Sequence, residues 1–223
     1  MEQRPVPMLE KGQVLLRTLY LSLDPYMRGR MSEGPSYATA MAVGDVMVGG
    51  TVSVVEASTH PDYSKGELVL GYSGWQDFAV SDGAGLARID SQKHHPSLAL
   101  GVIGMPGFTA YMGLTDIGQP QSGETVVVAA ASGAVGSVVG QVARLKGCRA
   151  VGIAGGPEKC RFVTAELQFE ACIDHHASDF PEQLGKACPN GIDISFERVA
   201  GSALETVRPF LDARASWPVL VLT

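Results

Sequence analysis

Residues 125–147, TVVVAAASGAVGSVVGQVARLKG, run from a string of valines through a cluster of small residues into an amphipathic stretch. That order predicts a strand, a tight turn and a helix. Two uses of such a turn are open: it grips the phosphates of a dinucleotide, or it only lets a strand and a helix pack closely. Ala131-Ser132-Gly133-Ala134-Val135-Gly136 occupies the place of the dinucleotide fingerprint, with Ala131 standing for its first glycine. Gly133 would let backbone approach a pyrophosphate, and Gly136 would let the helix sit close to the strand. The helix start offers free N–H groups and a positive dipole to the anion. Gly140 extends the same small face.

The end of the following strand bears on which coenzyme such a turn would hold. Folds that prefer NAD place an Asp or Glu about 20 residues beyond the glycines, on the ribose hydroxyls. Here the strand ends Ile153-Ala154-Gly155-Gly156, with no carboxylate at its tip, and Lys159 and Arg161 follow. This pattern suits a 2′-phosphate and favours NADP. Glu158 counts against it, and Lys159 also reads as a solvated lysine at a helix start.

Outward from this stretch, the second half of the chain alternates strand and helix. Strand candidates are TVVVAAA, CRAVGIAG, EACIDH, GIDISFE and WPVLVLT, with helices beginning near Ala134, Pro157, Pro181 and Ser202. Such alternation implies right-handed βαβ units and a doubly wound parallel sheet, an α/β fold. Before about residue 95 the texture differs: QVLLRTLYLSL, VGGTVSVVEA, ELVLGYSGW and QDFAVS are short β-rich runs broken by Gly, Pro, Asp and Ser. They predict a small, mostly antiparallel β domain. The expected boundary divides 1–104 from 105–223. Between them SLALGVIGMPGFTAYMGLTDI has helical spacing in spite of Pro106.

Composition narrows the function. The chain has 223 residues, 45% of them hydrophobic, and 17 basic against 23 acidic side chains give a formal charge of −6, so no basic face for nucleic acid is expected. MEQRPVPMLEKG has no apolar core of a signal peptide and no long apolar run occurs, which predicts a cytoplasmic protein without a membrane partner. Cys148, Cys160, Cys172 and Cys188 form no CxxC pair. They read as reduced thiols, and no metal site is expected. The pairs His94/His95 and His175/His176 lie in polar, turn-like surroundings and read as exposed or loop-lining.

LYLSLDPYMRGRM (19–31), VMVGGTVSVV, GMPGFTAYMGL (104–114), AAASGAVGSVVGQVARLKGCRAVGIAGGPEKCR and GIDISFERVAG together resemble the zinc-free medium-chain dehydrogenase/reductase superfamily. Within it they are most similar to the NADPH-dependent alkenal/one double-bond reductases, the group of the curcumin and prostaglandin reductases. The resemblance extends to about residue 212. It implies a GroES-like substrate domain followed by a Rossmann domain, and hydride transfer from NADPH to the β-carbon of an α,β-unsaturated ketone or aldehyde. On this resemblance the 2′-phosphate lysine is Lys159, and His175 replaces the family's tyrosine; an imidazole still donates to phosphate. Met105, Pro106 and Thr109 match the segment that lies along the cofactor. Ser132, Gly133, Ala134, Val135, Gly136 and Gly155 complete the expected coenzyme contacts. Tyr26 is the candidate donor to the substrate carbonyl, and reads equally as a half-buried core tyrosine. Asp24 before Pro25 is expected to fix the turn that presents it. No Cys occurs before residue 148, which disfavours a zinc alcohol dehydrogenase.

The chain departs from the family in two places. Glu197-Arg198-Val199-Ala200-Gly201 stands where the family prefers Asn and then Val-Gly-Gly, so Arg198 replaces an Asn near the cofactor. Family members also continue past the fifth Rossmann strand with a Tyr-Asn segment, a substrate loop, a sixth strand and a return to the first domain. Against that pattern both domains read as incomplete, by a frameshift or premature stop. The fifth strand is then an edge, the family's dimer strand is absent, and stability is reduced. The expectation is an NADPH-dependent enone reductase acting on small molecules; the alternative is a non-catalytic remnant that at most binds NADP.

Overall fold

The computed structural model describes residues 3–6, 8–32, 39–197 and 202–218. The chain divides between Gly104 and Met105 into two units. In the first, strands Val14–Leu21 (β1), Thr51–Ser58 (β2), Leu68–Gly71 (β3), Phe78–Ser81 (β4) and Ala87–Arg88 (β5) form an antiparallel sheet in the order β4-β1-β2-β3-β5. The period-2 alternation of β1 turns Val14 and Leu16 inward, where they meet Val55 and Val69, with Tyr63 and Leu86 packed alongside.

Between β1 and β2 lies a short helix, Tyr26–Arg30 (α1). The Asp24-Pro25 step does open a turn, since Met27 N–H donates to the Asp24 carbonyl at 3.1 Å. Pro25 itself is in the right-handed helical region, φ −56°, so the turn continues as helix. Proline suits that position because a helix start has no internal partner for its N–H.

The second unit begins with Met105–Met112 (α2), which continues as a π-helical turn, Gly113–Gly118, closed by Gln119 in the left-handed region at φ 51°. Pro106 is the second residue of α2, where its missing N–H breaks no bond. Thr125–Val128 (β6), Gly136–Leu145 (α3), Arg149–Ala154 (β7), Pro157–Ala165 (α4), Ala171–Asp174 (β8), Phe180–Ala187 (α5), Ile192–Phe196 (β9), Ser202–Val207 (α6) and Leu211–Ser216 (β10) follow. The strands are parallel and ordered β10-β9-β6-β7-β8.

Central strand β6 shows why its sequence is an unbroken apolar run. Val126 and Val128 enter one core with Ala110, Leu114, Val139 and Ala143. Val127 enters the other, with Ile173, Phe180 and Leu184. A parallel strand covered on both faces has no solvent side to supply polar residues. Burying one valine contributes about 1.5–3 kcal/mol. Gly140 has a packing role: a Cβ there would fall within the ring of Phe169, which is buried against α3.

The α/β class and the doubly wound parallel sheet are as the sequence predicts. The last strand is not where the apolar run WPVLVLT suggests. The structure forms β10 from Leu211–Ser216, and of the expected run only Trp217 and Pro218 fall among the described residues. Pro218 lacks the N–H a ladder needs, but its carbonyl accepts from Glu197 N–H at 3.0 Å.

Candidate functional site

In a doubly wound sheet a crevice opens at the carboxyl ends of the strands where the strand order reverses. Here β7 and β8 lie to one side of β6 and β9 to the other, so the reversal falls between β6 and β9. The turn Ala129–Val135 leaves β6 at that point. It is anchored to both neighbours: Ala129 N–H donates to the Phe196 carbonyl at 3.0 Å and Ala131 N–H to that of Ile153 at 3.0 Å. Ala130 takes φ 49°, a conformation costing a non-glycine residue about 1 kcal/mol, which the two anchors hold in place.

Gly136 shows how tight this turn is. A Cβ there would collide with the Ala130 carbonyl oxygen and stand 3.0 Å from the Ala131 Cα, so only glycine lets α3 start so close to the turn. Ala131, fully buried, fills a space that Gly152 of β7 leaves open; a Cβ on Gly152 would lie 2.8 Å from that of Ala131. This is why alanine occupies the first fingerprint position. Among the described residues no acceptor meets the amides of Ser132, Ala134, Val135 and Gly136. The first turn of α3 carries no acidic residue and Val135 caps it without a side-chain bond. Four amides without acceptors among the described residues therefore cluster at the positive end of the α3 dipole, an arrangement suited to an anion.

The second wall is built at the ends of β7 and β8. Ala154 pairs with Asp174 across the ladder, and His175 N–H donates to the Ala154 carbonyl at 3.1 Å. Gly156, the N-cap of α4, has φ 91° and ψ 153°, a region open to glycine alone. Its amide donates to Asp174 Oδ1 at 2.9 Å, and the His176 amide donates to the same oxygen at 3.0 Å. The Gly156 and His176 amides, in that order, hold the Asp174 carboxyl below the usual carboxylate range, and the two imidazoles add to the effect. The rings of His175 and His176 stand 4.0 Å apart. Their Nε2 atoms lie 3.1 and 3.2 Å from where a Gly155 side chain would begin. Lys159, on the first turn of α4, is exposed.

The residues singled out in the sequence are therefore distributed as follows. Ser132, Gly133, Ala134, Val135, Gly136, Gly155, Lys159 and His175 share the carboxyl edge of β6, β7 and β8. Met105, Pro106 and Thr109 are on α2, which packs on α3; Thr109 Oγ1 donates to Met105 Sδ at 3.4 Å. Tyr26 is the half-buried first residue of α1, in the other unit. Arg198 lies outside the described residues. Asp174 escaped the sequence reading, and His176 was read only as exposed or loop-lining, which it is. The only sequence signal for Asp174 is a carboxylate ending the third strand of the second unit, and its partners become visible with the β7–β8 register. Among the described residues no three His, Cys, Asp or Glu side chains are placed to hold a metal ion, and no helix is long and apolar enough to cross a membrane.

Known proteins resemble the chain along both units. Residues 1–89 match the family described as the N-terminal domain of oxidoreductase, and residues 134–216 match that described as zinc-binding dehydrogenase. The chain is 60% identical over 219 residues to the NADPH-dependent curcumin reductase of Escherichia coli (strain K12), covering 98% of this chain and 64% of that protein. It is 43% identical over 209 residues to prostaglandin reductase 1 of Oryctolagus cuniculus, covering 91% of this chain and 57% of that one. The crystal structure of CurA in complex with NADPH from Vibrio vulnificus superposes with a TM-score of 0.94 at 58% identity, over 99% of this chain and 66% of the other. The chain thus spans somewhat less than two thirds of the length of these relatives. By sequence and by fold it belongs to the medium-chain dehydrogenase/reductase superfamily, in the branch of the curcumin and prostaglandin reductases.

Proposed function

We propose that this chain binds NADPH at the carboxyl edge of β6–β8 and serves as an oxidoreductase that reduces the activated C=C bond of α,β-unsaturated ketones and aldehydes. The observation that carries the reading is the β6–α3 turn: four amides without acceptors among the described residues, at a helix start that glycine alone permits. Those amides, at a helix start whose first turn carries no acidic residue, are a donor set that fits a diphosphate. The coenzyme, when bound, supplies hydride.

Everything else is done by side chains and backbone of this protein. The amides of Ser132, Ala134, Val135 and Gly136, with Gly133 beside them, hold the diphosphate. The Lys159 ammonium and the His175 imidazole take the 2′-phosphate beside Gly155, while the neighbouring Asp174 carboxylate is engaged by the Gly156 and His176 amides. Met105, Pro106 and Thr109 of α2 line the coenzyme, and Arg198 is assigned to coenzyme binding on the family resemblance. The Tyr26 hydroxyl donates to the substrate carbonyl oxygen, stabilising negative charge as the enolate forms. The reading makes the protein a cytoplasmic enzyme of small enones and enals, without a metal, nucleic-acid or membrane partner.

The test is a titration of the purified chain with NADPH and NADH, followed by an assay of NADPH oxidation with a simple enone. Tighter NADPH binding with enone-dependent oxidation is expected. Binding without turnover reduces the chain to one that at most holds NADP, and no binding of either coenzyme refutes the proposal.

A further inference from the structure

One oxygen atom ties the two sides of the second wall together. Asp174 Oδ1 accepts from Gly156 N–H at 2.9 Å and from His176 N–H at 3.0 Å. Gly156 is the N-cap of α4, and its carbonyl accepts from Cys160 N–H at 3.2 Å, so its position sets where the helix starts and where the stem of Lys159 departs. On the other side, His176 is the second residue of the turn after β8, and the imidazoles of His175 and His176 both lie over Gly155. The connection spans two loops that do not bond to each other directly among the described residues: one after β7, the other after β8.

We infer that Asp174 is a positioning residue for coenzyme selection, clamping the Lys159 side and the His175 side of the pocket in register so that they converge on the 2′-phosphate. The inference rests on the NADPH reading above and adds to it a residue that need not touch the coenzyme. Its physical basis is that both bonds use one acceptor atom. What matters is where that oxygen sits; the negative charge is dispensable, and next to a phosphate it is unfavourable. NADH lacks the 2′-phosphate and makes no use of the clamped geometry, so its affinity depends on the β6–α3 turn and the α2 contacts, which the clamp does not touch.

Two conservative variants of the full chain separate position from charge. Asp174→Asn keeps an acceptor oxygen in place and removes the charge, whereas Asp174→Glu keeps the charge and moves the oxygen outward by one methylene. Dissociation constants for NADPH and NADH, measured by calorimetry with thermal melts as the check on folding, give the preference ratio for each. The expected result is that Asp174→Asn retains the wild-type NADPH preference or exceeds it. Asp174→Glu should lose about tenfold of the preference while its NADH affinity stays within about twofold. A general loss of structure would weaken both coenzymes together and leave the ratio unmoved, which would overturn the inference. So would retention of the preference by Asp174→Glu, or its loss in Asp174→Asn. If the wild-type chain shows no NADPH preference, the coenzyme reading itself fails and takes this inference with it. A wild-type preference that both variants leave intact sinks only the role of Asp174.

Discussion

Replacing Gly136 by alanine tests the phosphate-binding turn with a single methyl group. The new Cβ would stand 3.0 Å from both the Ala130 carbonyl carbon and the Ala131 Cα, and closer still to the Ala130 oxygen. Carbon atoms prefer about 3.5–4.0 Å, so the turn must retreat by roughly 0.5 Å. It cannot do so freely, because Ala129 and Ala131 are bonded to β9 and β7. Overpacking of this kind costs about 1–3 kcal/mol. Removing glycine from the unfolded chain returns about 0.4–1 kcal/mol. The net expectation is a destabilisation of about 1–2 kcal/mol, read by urea unfolding. Because the displaced amides serve the diphosphate common to both coenzymes, NADPH and NADH should weaken together, by about tenfold or more. Gly133→Ala is the control for stability, since its Cβ would meet only the Ala130 oxygen among protein atoms, at 3.1 Å; its destabilisation should be clearly smaller. A Gly136→Ala protein as stable as wild type, binding both coenzymes with unchanged affinity, would refute the reasoning.

Three further outcomes follow from other parts of the second unit. Lys159→Ala should weaken NADPH by about 10–100-fold and leave NADH unchanged, because only a charge-assisted contact to the 2′-phosphate is lost; parallel titrations of the two coenzymes decide it. Burial pushes the Cys188 thiol up to about 11 and raises Cys172 as well, so both should resist alkylation at pH 8 in the native protein and react on unfolding, as mass spectrometry of labelled peptides will read. Asp174 has a folded pKa below its unfolded one, so its contribution to stability is present above about pH 4 and is lost as pH falls through the lowered value. The melting temperature of wild type should therefore converge on that of Asp174→Asn in acid, and a constant difference from pH 7 to pH 3 would contradict this.

The fold was legible where burial dictates composition. Strands β6 and β7 are covered on both faces and read as apolar runs, and Pro157 marks the first residue of α4 because a proline there sacrifices no hydrogen bond. Strand β10 was not legible: at the sheet edge, LDARAS exposes three consecutive residues and pairs irregularly with β9, so no hydrophobic period announces it. The left-handed Ala130 was hidden too, since alanine disfavours that region and only the surrounding anchors impose it. Within the candidate site, the glycine spacing was readable because it is local. The bond from Asp174 to Gly156 was not, because the two residues stand 18 apart in sequence and meet only through the parallel β7–β8 ladder. Gly140 shows the converse, a small residue in line with the fingerprint whose neighbour turns out to be a phenylalanine ring.

Phosphorus NMR of NADP titrated with the wild-type chain examines the proposed contacts atom by atom. Both the diphosphate resonances and the 2′-phosphate resonance should shift or broaden on binding, and Lys159→Ala should abolish the change at the 2′-phosphate while sparing the diphosphate. Unperturbed resonances at saturating protein, or a 2′-phosphate signal that stays that of the free coenzyme while the diphosphate responds, would contradict the account.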